Sequence, residues 1–184
     1  MKLYVLFFAT SLIAMPAVAQ THADFAGAPD VAFDYYDLPG RTLGTIRAAM
    51  LKVRPTDPND GQRVDALSSW FWRWSWRGTA RGCDLTGATL SFSAKVRMPR
   101  LADRTVVPAN VLASWDAYVA TLERHESWHV GNGYSGRAEI LTAIAGATCA
   151  TANAAALAAV KRISARDVDY DRRTNHGIGD GTAF

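Results

Sequence analysis

The sequence is short of the residues that usually build metal and thiol sites. Its 184 residues hold four histidines, three glutamates and two cysteines. With only Cys83 and Cys149, far apart in sequence, a thiol-based site is disfavoured. No block of one charge occurs either. The 20 Lys and Arg against 17 Asp and Glu give +3, the arginines are scattered, and no nucleic-acid motif accompanies them, which argues against a nucleic-acid partner. No internal repeat is present. Beyond the first 19 residues no stretch is apolar enough to cross a bilayer.

Residues 1–19 read as a secretory signal: Lys2 supplies the positive start, "LYVLFFATSLIAM" the apolar run, and "AVA" (Ala17, Val18, Ala19) the small-residue cleavage site. The mature chain is expected to begin near Gln20 and to be periplasmic or secreted, with no transmembrane segment. Losing Lys2 takes the net charge from +3 to +2. The remaining ~165 residues suffice for one domain with a sizeable core. In an oxidising compartment an isolated cysteine pair is expected to form a disulfide, Cys83–Cys149. Closing that loop stabilises the fold by ~4 kcal/mol in the chain-entropy model.

Residues 20–32 are small and polar, a flexible lead-in, and the domain proper is expected over 33–184. Residues 33–44 predict a strand running into a Pro-Gly turn, and residues 45–53 a helix with Ile46, Met50 and Val53 on one side. The loop at 54–61, "RPTDPNDG", is dense in turn formers. Trp70, Trp72, Trp74 and Trp76 then alternate with Phe71, Arg73, Ser75 and Arg77, the period of a strand with one tryptophan face. That face is either a core surface packed on a helix or a platform for glycan or peptide. Residues 86–99 alternate as well, which completes a small antiparallel sheet. From Pro108 the pattern is helical to about Arg166, and the Gly- and Asp-rich tail from Asp167 reads as loop. Strands followed by helices predict an α+β domain with the sheet packed on long C-terminal helices.

The stretch "RHESWHV" (residues 124–130) lies inside that helical region. Val111, Trp115, Tyr118 and Leu122 form its apolar stripe, and the same three- and four-residue steps reach His125 and His129. At 100° per residue all six fall within roughly 40° of one line. Both histidines therefore face inward. They are either satisfied core histidines or a pair of zinc ligands, for which an i, i+4 spacing on one helix face is suited. Glu126 sits about 100° round, placed to take a proton from water beside the metal.

A catalytic zinc takes three protein ligands and leaves one position open. The extended metzincin pattern fails, because Asn132 and Ser135 stand where it needs Gly and His. Glu139, the one later glutamate, points off the stripe. His22 adjoins the cleavage site. That leaves His176, in "YDRRTNHG", as the expected third ligand, with Asp171 as the alternative ligand or as a group that orients a ligand imidazole. Tyr170 or Arg172 is expected to stabilise the oxyanion.

The tryptophan strand with Trp70 and Trp74, Cys83, "SWDAYVATLERHESWH" with Trp115 and Tyr118, Cys149 and the closing "YDRRTNHG" together resemble a bacterial family of predicted secreted zinc-dependent proteases, domain of unknown function 922, over about Tyr35 to Gly177. The resemblance implies a zincin-like metallopeptidase with His125 and His129 as ligands and Glu126 as the catalytic glutamate. The expected function is hydrolysis of a peptide or protein substrate by zinc-activated water, with Glu126 as general base. Two other readings are a non-catalytic zinc-containing envelope protein that binds glycan or peptide on its tryptophan strand, and a metal-free helical adaptor.

Overall fold

In the computed structural model, residues 22–80 and 82–181 are described; the expected signal lies outside them. Strand β1 (Val31–Leu38) is followed by helix α1 (Leu43–Val53), the long hairpin β2 (Leu67–Thr79) and β3 (Gly82–Leu101), and helices α2 (Ala109–Ser135), α3 (Arg137–Ala145) and α4 (Ala152–Thr174). Thr42 opens α1 with a reciprocal capping box to Thr45. The domain is α+β, as expected. None of the described helices is long and apolar enough to cross a membrane.

The sheet is mixed rather than antiparallel. Its order is β1-β3-β2, with β2 antiparallel to β3 but β1 parallel to it, Val31 opposite Ala94. A short turn forces the antiparallel pairing of β2 and β3. The path from β1 passes through α1 and β2 before reaching β3, and that crossover permits the parallel pairing.

Residues 22–30, read from sequence as a flexible lead-in, pack onto the domain. Phe25 is buried. His22 stacks on Phe33 with ring centroids 3.7 Å apart, its Nε2 lies 2.7 Å from the Tyr35 hydroxyl, and its Nδ1 lies 2.9 Å from Glu123 Oε1.

The tryptophan side of β2 faces the helices. Three indole N–H groups donate inward: Trp70 to Asp167 Oδ2 (2.8 Å), Trp72 to the Gly133 carbonyl (3.0 Å) and Trp74 to Asn153 Oδ1 (2.9 Å). Trp72 is buried and Trp70 and Trp74 half-buried, and their N–H groups are satisfied by the helices, as packed indoles require. Trp76 lies where a bulge shifts the register between Ser75 and Arg77.

The predicted helical region is three helices, broken at Gly136 and over residues 146–151, where Cys149 is bonded to Cys83. The last helix runs through Asp167 and Asp171 to Thr174, so the expected loop from Asp167 is helical for two further turns. Local apolar periodicity stops at Ile163. The helix does not, because its next inward positions carry carboxylates that meet partners on α2.

Gly133 lets α2 touch the sheet. A Cβ there would sit 2.5 Å from the Trp70 ring. Gly133→Ala should therefore cost ~1–3 kcal/mol as an overpacked contact, read as a lowered urea midpoint at unchanged slope. A midpoint equal to the parent's would show that the contact is not tight.

Candidate metal centre

Helices α2 and α4 run antiparallel, since Asn132 meets Ile163, His129 meets Asp167 and His125 meets Asp171. On each helix the inward stripe changes from apolar to polar along the chain. On α2, Val111, Trp115, Tyr118 and Leu122 give way to His125 and His129, all buried. On α4, Ala152, Ala156, Ala159 and Ile163 give way to Asp167 and then, four residues on, to Asp171. Because the helices are antiparallel, the two polar pairs face each other between the apolar run of α2 on one side and that of α4 on the other.

Three atoms converge there. Asp171 Oδ1 lies 3.0 Å from His129 Nε2 and 3.2 Å from His125 Nε2, and the two Nε2 atoms are 3.3 Å apart. The other face of each ring is anchored by a carboxylate, His129 Nδ1 by Asp167 Oδ1 (3.2 Å) and His125 Nδ1 by Asp180 Oδ2 (3.0 Å). An ionised carboxylate only accepts, so both Nδ1 atoms carry the proton. Both Nε2 atoms are then lone pairs unless a ring is doubly protonated. Two Nε2 atoms and a carboxylate oxygen this close need a positive charge among them, either a proton or a metal ion.

The residues fit a metal. A four-coordinate divalent ion with bonds of about 2.0–2.1 Å spaces its ligand atoms about 3.3 Å apart, close to the spacing seen. Carboxylates behind ligand imidazoles fix tautomer and ring direction, as metal sites require. His125, His129 and Asp171 form one group able to hold a metal ion, and Asp57, Asp60 and His176 form another.

His176, the expected third ligand, is therefore outside the first group, and the alternative, Asp171, is inside it. The extra turns of α4 explain this: Asp171 is still on the helix and faces α2, whereas His176 follows the left-handed cap at Asn175 and is itself left-handed, with φ 51°. Its Nε2 meets Asp60 Oδ2 at 2.9 Å, while its Nδ1 is 3.8 Å from Asp171 Oδ1.

Glu126 is buried and lines the same cavity, of about 370 Å³, as His125, His129 and Asp171. Burial pushes its carboxyl above the usual carboxylate range. Tyr170 is not in that cavity lining. Its hydroxyl donates to Asp180 Oδ2 (2.8 Å), and its ring stacks on His125 and Trp128. It thus positions His125 rather than pointing at a reacting group. Arg172 is paired with Asp169, and Glu139 with Arg162 and Arg166.

Sequence reasoning missed Asp167 and Asp180. Asp167 carried a readable signal, the four-residue step from Ile163 to Asp171. Asp180, in a short 3-10 turn (Ile178–Asp180), carried none, because tertiary contact alone brings it to His125.

Residues 33–177 match the family described as bacterial protein of unknown function (DUF922). The chain belongs to that family. Asp180 lies just beyond the matched span, while the converging His125, His129 and Asp171 lie within it. No curated protein and no solved structure matches the chain.

The charge of the cluster sets a pH signature. Burial opposes a charged His129, but Asp167 and Asp171 outweigh it and raise its pKa from 6.5 to about 10. Burial likewise opposes a charged His125, yet Asp171, Glu126 and Asp180 hold it above its ordinary value. Asp171, despite burial, is held well below the carboxylate range by the same two rings. A pKa raised on folding adds stability that is whole below the unfolded value and is lost as pH rises through the folded one. For His129 that window is pH 6.5 to about 10. A bound cation competes with these protons, so its effect has the opposite slope. Melts of protein stripped of metal should lose stability across this window, while the rise in Tm produced by added zinc grows. A zinc effect that shrinks with rising pH would contradict the assignment.

Proposed function

We propose that this protein is an exported zinc-dependent metallopeptidase whose metal is held by His125, His129 and Asp171. The observation that carries this reading is the meeting of His125 Nε2, His129 Nε2 and Asp171 Oδ1 within 3.0–3.3 Å on the wall of a cavity that Glu126 also lines. Three protein ligands beside open space suit a catalytic ion better than a structural one, which is normally closed by four. The N-terminal leader belongs to the same reading, and the Cys83–Cys149 bond is compatible with an oxidising compartment.

When bound, the metal supplies Lewis acidity toward a carbonyl oxygen and lowers the pKa of water beside it. Everything else falls to the chain. Glu126, its pKa raised by burial, takes the proton from the attacking water and returns it to the leaving amine, a cycle that suits a carboxyl drawn toward neutrality. Asp167 and Asp180 hold the two imidazoles in the tautomer that leaves Nε2 free. Tyr170 keeps Asp180 and the His125 ring in place. The lining also holds Leu67, Phe71 and Val160, apolar side chains that favour an apolar side chain in the substrate.

Glu126→Gln separates catalysis from binding. It should lower the turnover of a quenched casein or peptide-library substrate by at least ~10²-fold, the scale of a lost general base, while zinc content by elemental analysis stays at the parent level. His129→Ala should lose the ion held by His125, His129 and Asp171, and activity with it. Undiminished hydrolysis by Glu126→Gln would sink the catalytic assignment.

A further inference from the structure

The loop between α1 and β2 carries a second constellation, which faces the first. Asp57 spends one oxygen on the loop itself, Oδ1 accepting from the Asn59 N–H at 2.8 Å, and Asp60 both, Oδ1 accepting from the Gln62 N–H at 2.8 Å and Oδ2 from Gln62 Nε2 at 3.0 Å. The loop is tied down just before β2 begins: Asp65 accepts from Arg54 Nη1 (3.1 Å), from the Tyr118 hydroxyl (2.8 Å) and from Arg47. Asp57 and Asp60 are thus held opposite the end of α4.

Asp57 is the unusual member. Its side chain is 3% exposed, yet among the described residues its Oδ2 has no hydrogen bond. The nearest polar partner is His176 Nδ1 at 3.7 Å, too far for one. Among the described residues the buried side-chain atom with no partner is Arg54 Nε; Asp57 Oδ2 is instead free toward the cavity that Asp57 lines, where a cation can reach it. His176 Nδ1 is also 3.8 Å from Asp171 Oδ1, the oxygen already shared by His125 and His129. A gap bounded by Asp57 Oδ2, His176 Nδ1 and Asp171 Oδ1 therefore adjoins the first centre.

Charge points the same way. The cavity is lined by Asp57, Asp65, Glu126, Asp167 and Asp171 and by no lysine or arginine. Asp65 is neutralised by Arg47 and Arg54. Burial draws Glu126 toward neutrality, and Arg172, which lines the adjoining pocket with Asp57, Asp60 and His176, is paired with Asp169. Asp57, Asp167 and Asp171 are left in a partly enclosed space where fields are strong, one negative charge more than a single divalent ion balances.

We propose that Asp57 and His176 hold a second divalent cation beside the first, with the Asp171 carboxylate between the two and Asp60 behind the far nitrogen of His176. Two carboxylates and one imidazole suit a borderline ion such as zinc, manganese or cobalt, and paired ions of this kind recur in hydrolases. The inference rests on the reading of His125, His129 and Asp171 as a metal centre, and it assigns to His176 a different ion from the one its sequence position suggested.

The test is stoichiometry. The full chain is loaded with zinc, dialysed against metal-free buffer and measured by elemental analysis, with a calorimetric zinc titration in parallel. Two ions per chain are expected in the parent and one in Asp57→Asn/His176→Asn. Asparagine at 57 keeps the acceptor for the Asn59 N–H, and asparagine at 176 tolerates the left-handed backbone. Circular dichroism and melting of the metal-free forms confirm that the variant folds. His129→Ala should retain one ion while losing the other. One ion in both parent and double variant would overturn the second site and leave the first intact. Two ions in both would overturn it as well. Loss of all metal in His176→Asn alone would overturn it by making His176 a ligand of the first ion. No ion in the parent would remove the metallopeptidase reading together with this one.

Discussion

The fold and the candidate site hang on one buried carboxylate. Asp167 accepts from Trp70 Nε1 (2.8 Å), from Asn132 Nδ2 (2.7 Å) and from His129 Nδ1 (3.2 Å). It therefore ties the sheet, α2 and α4 at one point. A carboxylate held in the interior with one partner removed costs 3–5 kcal/mol as an order of magnitude, so these bonds are effectively obligatory. They also fix neighbours that never touch Asp167. Trp70 can reach it only by lying across the backbone of α2, which is why Gly133 has no room for a side chain. His129, anchored through Nδ1, can present only Nε2 to Asp171. The packing of the strand and the aim of a ligand thus have a common cause.

How far this is legible in the sequence depends on whether the signal is local. Strict alternation places the four tryptophans on one face of β2, and helical steps put His125 and His129 in line with Leu122, so the strand and the motif's inward direction can be read directly. The disulfide follows from an isolated cysteine pair, the two cysteines the sequence has. The parallel pairing of β1 cannot be read, because register across a crossover is a property of the whole path and leaves no mark in the strand. The end of α4 misleads for a different reason. Apolar periodicity is the usual sign of a buried helix face, and it disappears where that face buries Asp167 and Asp171 against histidines. The steps that carry α2 through His125 and His129 also carry α4 from Ile163 through Asp167 to Asp171. Choosing His176 over Asp171 comes from treating that helical end as loop.

Helix α4 is held unevenly along its length. Its N-terminal half buries Ala152, Ala156 and Ala159 completely, which allows close approach but removes little apolar area from water at ~25 cal/mol per Å². Only Ile163 contributes a large buried aliphatic side chain, and beyond it the inward face is charged. The helix depends instead on point attachments: Cys149 bonded to Cys83 just before its start, Asn153 under Trp74, and Asp167 and Asp171 against α2 near its end. The disulfide secures the end whose burial comes from alanines alone. At the other end the clustered histidines and carboxylates need a cation for their own charge balance. Under the proposed metal reading, filling the centre and pinning the last turns of α4 are one event, so metal binding and local folding of that helix are thermodynamically linked. The same turns carry Tyr170 and lead into the cap that places His176 and Asp180. Disorder there would cost the site its ligand, one histidine's orienting carboxylate and the acidic loop's imidazole together, which is the reason a helix so poor in apolar contacts is fastened at both ends.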